Sequence, residues 1–270
     1  MKLTVLFENH AGYKKGLLGY HGFSAMVEHN GKKVLVDTGT DGKVLLGNME
    51  ALGVSPGEID ALFITHGHYD HTGGMKAFLE ARRVGIDVYA HPGIFQRRVA
   101  LKPKLREIGI PFTREELEGL GATFHLSPEP VEFLPGFISS GEIKRNHWDR
   151  AVGYLVENGR YIKDPVRDDM ALIVDLGNEI AVITGCGHSG IVNIAEHAVK
   201  LTGKPVKALV GGFHLRGAGQ AILEDAVAKL KALGVEELYA GHCTGIDEYA
   251  HLKANFGYAE PLYVGKTVTL

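Results

Sequence analysis

Short apolar runs bounded by turn residues set the rhythm of the chain. Residues 3–7, 23–28 and 33–36 are apolar or alternating segments of strand length, and Asn30-Gly31 marks a turn between the last two. Residues 41–52 place Val44, Leu45 and Leu52 at helical spacing, and Gly53 supplies a stop. Ser55-Pro56-Gly57 reads as a turn, and 60–65 as a buried strand. A helix over 74–83 and a strand over 86–90 follow. In the second half, strands are predicted at 151–157, 171–176, 179–184, 206–210, 237–240 and 266–270. Helices are predicted at 191–201, 220–233 and 245–254. Residues 92–150 hold one clear helix, 113–119, opened by Thr113 and Glu116 at capping-box spacing. The expectation is one domain over 1–270, with an insertion or lid at about 92–150.

Four of these strands run into a small residue or Thr and then a histidine. They end at Thr65-His66, Thr184-Gly185-Cys186-Gly187-His188, Gly211-Gly212-Phe213-His214 and Gly241-His242. A fifth ends at His91-Pro92, where a structural role is expected. Side chains on loops carried by rigid strands are well placed for binding and catalysis. If these ends share one edge, their histidines converge.

His66-Gly67-His68-Tyr69-Asp70-His71 packs four potential metal ligands into six residues. Imidazole nitrogen and carboxylate oxygen suit zinc, iron and manganese. Alternate side chains of a loop point together, so His66 and His68 are expected at one ion, with Asp70 and His71 directed to a second. His188 and His242 are the natural completing ligands. Cys186 is read either as a soft ligand or as a small buried residue near the site. Cys243 is expected behind the ligands. For His214 three readings stay open: a phosphate or substrate contact, a ligand, or a satisfied histidine at a strand end.

Composition narrows the partners. The 270 residues are 45% hydrophobic and 23% charged, with a formal net charge of -3, so no broad nucleic-acid surface is indicated. No apolar stretch reaches the ~20 residues of a membrane span. With two cysteines and no targeting signal, a cytoplasmic protein acting on a small molecule is expected.

Thr65-His66-Gly67-His68-Tyr69-Asp70-His71-Thr72-Gly73-Gly74, preceded by Gly22–Glu28 and Val34–Gly39, resembles the signature and opening strands of the metallo-β-lactamase superfamily. The resemblance spans almost the whole chain. It implies an α/β (α+β) fold, an αββα sandwich of two mixed sheets flanked by helices, with one or two divalent metals at one edge. Zinc is implied first, and iron or manganese after it. The segments 184–193, 211–215 and 241–245 resemble a dihydropteroate-synthase-like branch of metal-dependent hydrolases, whose characterised archaeal member joins a pterin diphosphate to an aminobenzene acceptor. Cys186 stands where many members carry a bridging Asp. The usual third histidine of the first metal site is not evident upstream, and His188 is the candidate to replace it.

The leading expectation is a hydrolase that attacks a small phosphorylated or diphosphate-bearing substrate through metal-activated water. Asp70 would ligate and orient the nucleophile. His214 and the Thr244-Gly245 amides, at a helix N-terminus, would hold an anionic group. A pterin-type transferase is the first alternative, and a non-haem iron redox or sensor protein the second. In a silent pterin or nucleotide binder, Glu8-Asn9-His10, His21-Gly22 and Lys144–Trp148 would line the pocket. Asn9 and His21 are therefore candidate substrate contacts.

Overall fold

The computed structural model describes residues 1–270. Two seven-stranded sheets stack face to face, and helices cover both outer faces. The first sheet runs Thr267–Thr269, Lys2–Phe7, Ser24–His29, Lys32–Val36, Ala61–Phe63, Ile86–Ala90, Ala122–Leu126. The second runs Ala259–Pro261, Glu237–Gly241, Val206–Gly212, Ile180–Thr184, Ala171–Asp175, Phe137–Ser139, Val131–Leu134. Both sheets are mixed. Parallel pairing joins Lys32–Val36 through Ala122–Leu126 in the first, and Ile180–Thr184 through Ala259–Pro261 in the second.

The continuous apolar runs follow from burial on both faces. Val34 and Val36 point between the sheets while Leu35 points to the outer helices; Ala181 and Ile183 alternate with Ile180 and Val182 in the same way. The layer between the sheets joins Leu3, Val5, Phe63, Leu172, Ile183 and Val210. Helices Gly42–Leu52, Met75–Arg82 and Arg114–Gly119 pack on the first sheet through Leu45, Met49, Phe78 and Leu117. Helices Ile191–Thr202, Gln220–Ala232 and Ile246–Asn255 pack on the second through Ile194, Leu230 and Leu252. The Gly42–Leu52 helix is fixed at both ends. Asp41 accepts hydrogen bonds from the Lys43 and Val44 amides, and Gly53 closes it in the left-handed region. Thr113 and Glu116 form the expected capping box.

The segment 92–150 divides, and only part of it lies outside the two main sheets. Ala122–Leu126 extends the first sheet, and Val131–Leu134 and Phe137–Ser139 complete the second. The remainder pairs with a later hairpin in a small sheet ordered Arg160–Lys163, Tyr154–Glu157, Arg98–Ala100, Arg106–Glu107. Lys144–Trp148 is pinned to the Ile191–Thr202 helix. The Asn146 and His147 amides both donate to Asn193 at 2.8 Å, and Trp148 packs on the outer core. It does not line the cleft described below. No helix is long and apolar enough to cross a membrane.

Candidate metal centre

Parallel pairing brings the carboxyl ends of the central strands to one edge, where open α/β sheets bind ligands. From the first sheet this edge carries His66, His68, Asp70 and His71. From the second it carries Cys186, His188, His214 and His242. The tight turns after the strands put both groups face to face.

Two donor sets result. His66, His68 and His188 offer nitrogens within 4.8 Å of one another. Their ring centroids lie 4.7, 4.9 and 5.0 Å apart. All three Nε2 atoms are buried without a hydrogen-bond partner. His188 Nδ1 faces the Arg150 carbonyl at 3.2 Å, which assigns the proton to Nδ1 and leaves a lone pair on Nε2. Three buried lone pairs aimed at one point are costly unless a cation satisfies them, so the donors fit a metal ion. Burial, with the neighbouring histidines, holds His66 and His188 well below the usual imidazole range, and burial pushes His68 down to about 3.

The second set is Asp70, His71, Cys186 and His242. His71 Nε2 lies 3.2 Å from Cys186 Sγ and 3.2 Å from His242 Nε2; His242 Nε2 is 3.3 Å from the same sulfur. Asp70 Oδ2 sits 3.7 and 3.5 Å from the two imidazole nitrogens. His71 donates through Nδ1 to Asp37 at 2.7 Å, and His242 through Nδ1 to Asn9 Oδ1 at 3.0 Å. Both Nε2 lone pairs therefore face one another, and only a cation or a proton reconciles them. Burial opposes charge on His242, but the negative groups at Cys243 and Asp70 outweigh it and raise its pKa to about 9. Burial also disfavours the Asp70 carboxylate, yet His71, His21 and His242 hold its pKa well below the ordinary value.

Residues outside the signature hold these ligands. Asp37, at the end of Lys32–Val36, accepts from the Thr65 amide at 2.8 Å, the Thr65 hydroxyl at 2.7 Å and His71. Glu8 is fully buried and accepts from the His242 amide. Asp168 accepts from the Gly67 amide at 2.8 Å and from Arg98 at 2.5 Å; Arg98 also donates to Asp164 at 2.8 Å. The small sheet is thereby locked to the His66-Gly67-His68 turn. Asp169 accepts from the Ser189 amide at 2.7 Å, fixing the His188 loop. Gly185 is required by close approach: a Cβ there would lie 2.1 Å from Thr65 Oγ1 and 2.6 Å from Asp37 Oδ2.

The donors floor a cleft of about 290 Å³. Arg106, Arg150 and Arg216 line it. Two of them donate to carbonyls: Arg106 to Lys102 O at 2.8 Å, and Arg150 to Arg216 O. Arg98 and Arg145, by contrast, are paired with aspartates. Sequence reasoning missed this trio, because the three arginines are far apart in the chain, one on a two-residue strand and two in irregular segments, and only the fold brings them together.

The remaining expected residues separate. His21 lies at the cleft with Nε2 3.2 Å from Asp70. Asn9 lines the cleft but is committed to His242 and to the Gly22 amide. His214 stacks 4.3 Å from His188, with Nδ1 buried and unpartnered. Thr244 and Gly245 do not line this cleft, contrary to the expected anion-holding role. One 3-10 turn after Gly241 buries Thr244, whose hydroxyl accepts from the Phe213 amide at 3.1 Å. Gly245 faces a neighbouring cleft of about 520 Å³ that shares His242 and is walled by Tyr13, Tyr249 and Tyr263. His91 caps its own turn by accepting from Gly93, as a structural residue does.

Residues 18–242 match the metallo-beta-lactamase superfamily. The chain belongs to that superfamily. It is 34% identical over 258 residues to the 7,8-dihydropterin-6-methyl-4-(beta-D-ribofuranosyl)-aminobenzene-5'-phosphate synthase of Methanocaldococcus jannaschii, covering 91% of this chain and 88% of that one. It is 33% identical to MJ0448 of the same organism, an uncharacterized protein, over 98% and 99% of the two chains. The crystal structure of Tm1679, a metal-dependent hydrolase of the beta-lactamase superfamily, superposes with a TM-score of 0.87 at 28% identity, covering 100% and 99%. The αββα architecture expected from the signature is the one observed. Family and relatives together indicate a metal-dependent enzyme.

Proposed function

We propose that this superfamily member acts on a small phosphate- or diphosphate-bearing substrate, with His66, His68 and His188 holding one divalent ion and Asp70, His71, Cys186 and His242 a second. The carrying observation is the arginine trio. Three guanidiniums without carboxylate partners line a cleft floored by metal donors, and such groups match phosphate oxygens in geometry and charge. The mixed nitrogen and sulfur donors favour zinc. Bound divalent ions supply Lewis acidity toward a phosphoryl oxygen and lower the pKa of water.

The protein's own groups do the rest. Arg150 and Arg216 seat the phosphate against the cleft floor, and Arg106 closes over it from the small sheet. Asp70, held ionised, orients the hydrogen of the incoming nucleophile. His21, exposed beside Asp70, carries a proton to or from the leaving oxygen. Hydrolysis needs nothing more. Transfer to an aromatic acceptor is a second reading, favoured by the tyrosine-walled cleft beside His242 and by the similarity to a synthase whose product name joins a pterin and an aminobenzene phosphate.

The test is diphosphate release from a dihydropterin-methyl diphosphate by zinc-loaded protein, with and without an aminobenzoate-type acceptor. Release that requires acceptor supports transfer, and release without it supports hydrolysis. Arg150→Ala and Arg216→Ala are expected to raise KM at least tenfold. No release, together with no turnover of simple phosphoesters by metal-loaded protein, refutes the substrate class.

A further inference from the structure

We infer that Cys186, Cys243 and His214 form an additional site for a thiophilic metal ion, beside the two donor sets and sharing Cys186 with one of them. The inference rests on the metal-binding reading above and extends it. The chain has only two cysteines, and the fold brings them together. Cys186 follows Ile180–Thr184, His214 follows Val206–Gly212, and Cys243 follows Glu237–Gly241, three adjacent parallel strands. The two sulfurs and a His214 ring nitrogen all lie within 4.8 Å of one another.

Two further observations point to a ligand. His214 Nδ1 is buried and has no hydrogen-bond partner. The same residue holds a left-handed backbone, φ 48°, a conformation unfavourable for a side chain with a Cβ. An unsatisfied imidazole on a left-handed backbone, held beside two sulfurs, is explained by an ion bound among them. Gly212 keeps the space open, since a Cβ there would stand 2.7 Å from Cys243 Sγ. Cys243 Sγ lies 3.3 Å from the Cys186 carbonyl.

Two thiolates and an imidazole select zinc, cadmium or cuprous ion over magnesium or manganese. With Cys186 already a thiolate ligand of the neighbouring ion, binding M²⁺ here would release the Cys243 thiol proton to solvent and would form two metal–sulfur bonds and one metal–nitrogen bond. No electron is transferred. Cys186 sulfur then bridges this ion and the one held by Asp70, His71 and His242.

The experiment loads reduced, chelator-stripped full-length protein with Co²⁺ and reads bound equivalents and the thiolate-to-cobalt absorption. Three equivalents are expected. Cys243→Ser and His214→Ala are each expected to stop at two, with a weaker thiolate band in the serine variant. Alkylation gives a second readout that needs no variant: the third equivalent should protect Cys243 from iodoacetamide. Saturation at two equivalents, with Cys243 still alkylated, overturns the site but leaves the two donor sets standing. Loss of both free thiols to a disulfide when reductant is removed, with no third equivalent bound on reduction, also overturns it. Saturation below two overturns the metal-binding reading itself.

Discussion

Asp37→Asn isolates the support of one donor set from the other. Asp37 Oδ1 accepts from the Thr65 amide, while Oδ2 accepts from both the Thr65 hydroxyl and His71 Nδ1. Asparagine keeps the shape but turns one oxygen into a donor. If its oxygen serves the Thr65 amide, the new NH₂ meets His71 Nδ1. The imidazole then moves its proton to Nε2, the atom 3.2 Å from Cys186 and His242, and loses the lone pair needed there. In the other orientation the buried Thr65 amide loses its acceptor, at a cost of about 1–3 kcal/mol. Removing the carboxylate behind a ligating histidine typically weakens metal affinity about 10–100-fold, or about 1.4–2.7 kcal/mol. The loss should fall on the Asp70, His71, Cys186 and His242 set alone, because His66, His68 and His188 reach Asp37 only indirectly. Competition with a chromophoric chelator should show one affinity class weakened and the other unmoved. Equal weakening of both classes, or of neither, refutes the assignment of Asp37 to His71.

Arg98→Met should strand the Asp164 and Asp168 carboxylates in the interior; breaking such a buried pair costs about 3–5 kcal/mol, and a Tm fall of roughly 6–20 °C in calorimetry follows. A fall of under about 2 °C would show the triad to be energetically idle. Gly185→Ala should push Thr65 and Asp37 off His71, lowering occupancy of the Asp70-containing set in a metal assay while the three-histidine set stays filled. In metal-free protein the folded-state pKa values of His66, His68 and His188 lie below their unfolded values. Their contribution is thus complete above pH ~6.5 and is lost as pH falls below it, down to about 3 for His68, at up to about 1.4 kcal/mol per pH unit for each histidine. Asp168 and Asp169, both raised by burial and Asp169 to about 6, oppose them, as does His242, raised to about 9, but the three histidines outweigh these over pH ~7 to ~5; a denaturation midpoint that stays level or rises across that range contradicts this balance. Chelation should lower Tm, since an ion at 100 times its Kd stabilises by about 2.7 kcal/mol, and an unchanged melt would argue against tight occupancy.

The sequence carried the parts of the site that sit within a few residues of one another. His66, His68, Asp70 and His71 share one short loop, and their donor chemistry is legible without a fold. The histidines at 188 and 242 were legible as strand ends, because apolar period and glycine placement mark where a strand stops. The supports were not. Glu8 and Asp168 are single acidic residues hundreds of atoms of chain away from the histidine loops they hold, and only strand pairing brings them near. Asp37 was visible as the end of a strand, but not as the acceptor of His71. The edge strands between 98 and 139 were missed for a different reason. They are two to five residues long, and most are too short or too exposed for an alternation to show; Ala122–Leu126 does alternate, but over five residues only. Thr244 and Gly245 looked like a free helix start because sequence does not show the extra turn that buries one and redirects the other.

The chemistry depends on how the two halves of the chain share the site. In the three-histidine set, two donors come from the first sheet and one from the second; in the other set, Asp70 and His71 face Cys186 and His242. Neither sheet can complete a coordination shell alone. Each donor set therefore spans the seam between sheets, and an ion in it acts as a crosslink. The acceptors behind the ligands belong to the same scheme. Asp37 and Glu8 rise from the first sheet to hold one histidine of each half, while Asp168 reaches from the start of the second half back to Gly67. Catalytic geometry set at a seam is sensitive to relative movement of its two sides, and charged acceptors crossing in both directions restrict that movement. The cleft arginines share this bracing through their backbones: Arg106 lies on the small sheet that Arg98 locks to the Gly67 turn, and the Arg150 carbonyl accepts from His188 Nδ1. Rebuilding their backbone segments would therefore disturb the ligands, whereas exchanging the arginine side chains would not, so substrate choice is separable from metal binding only at the side chains.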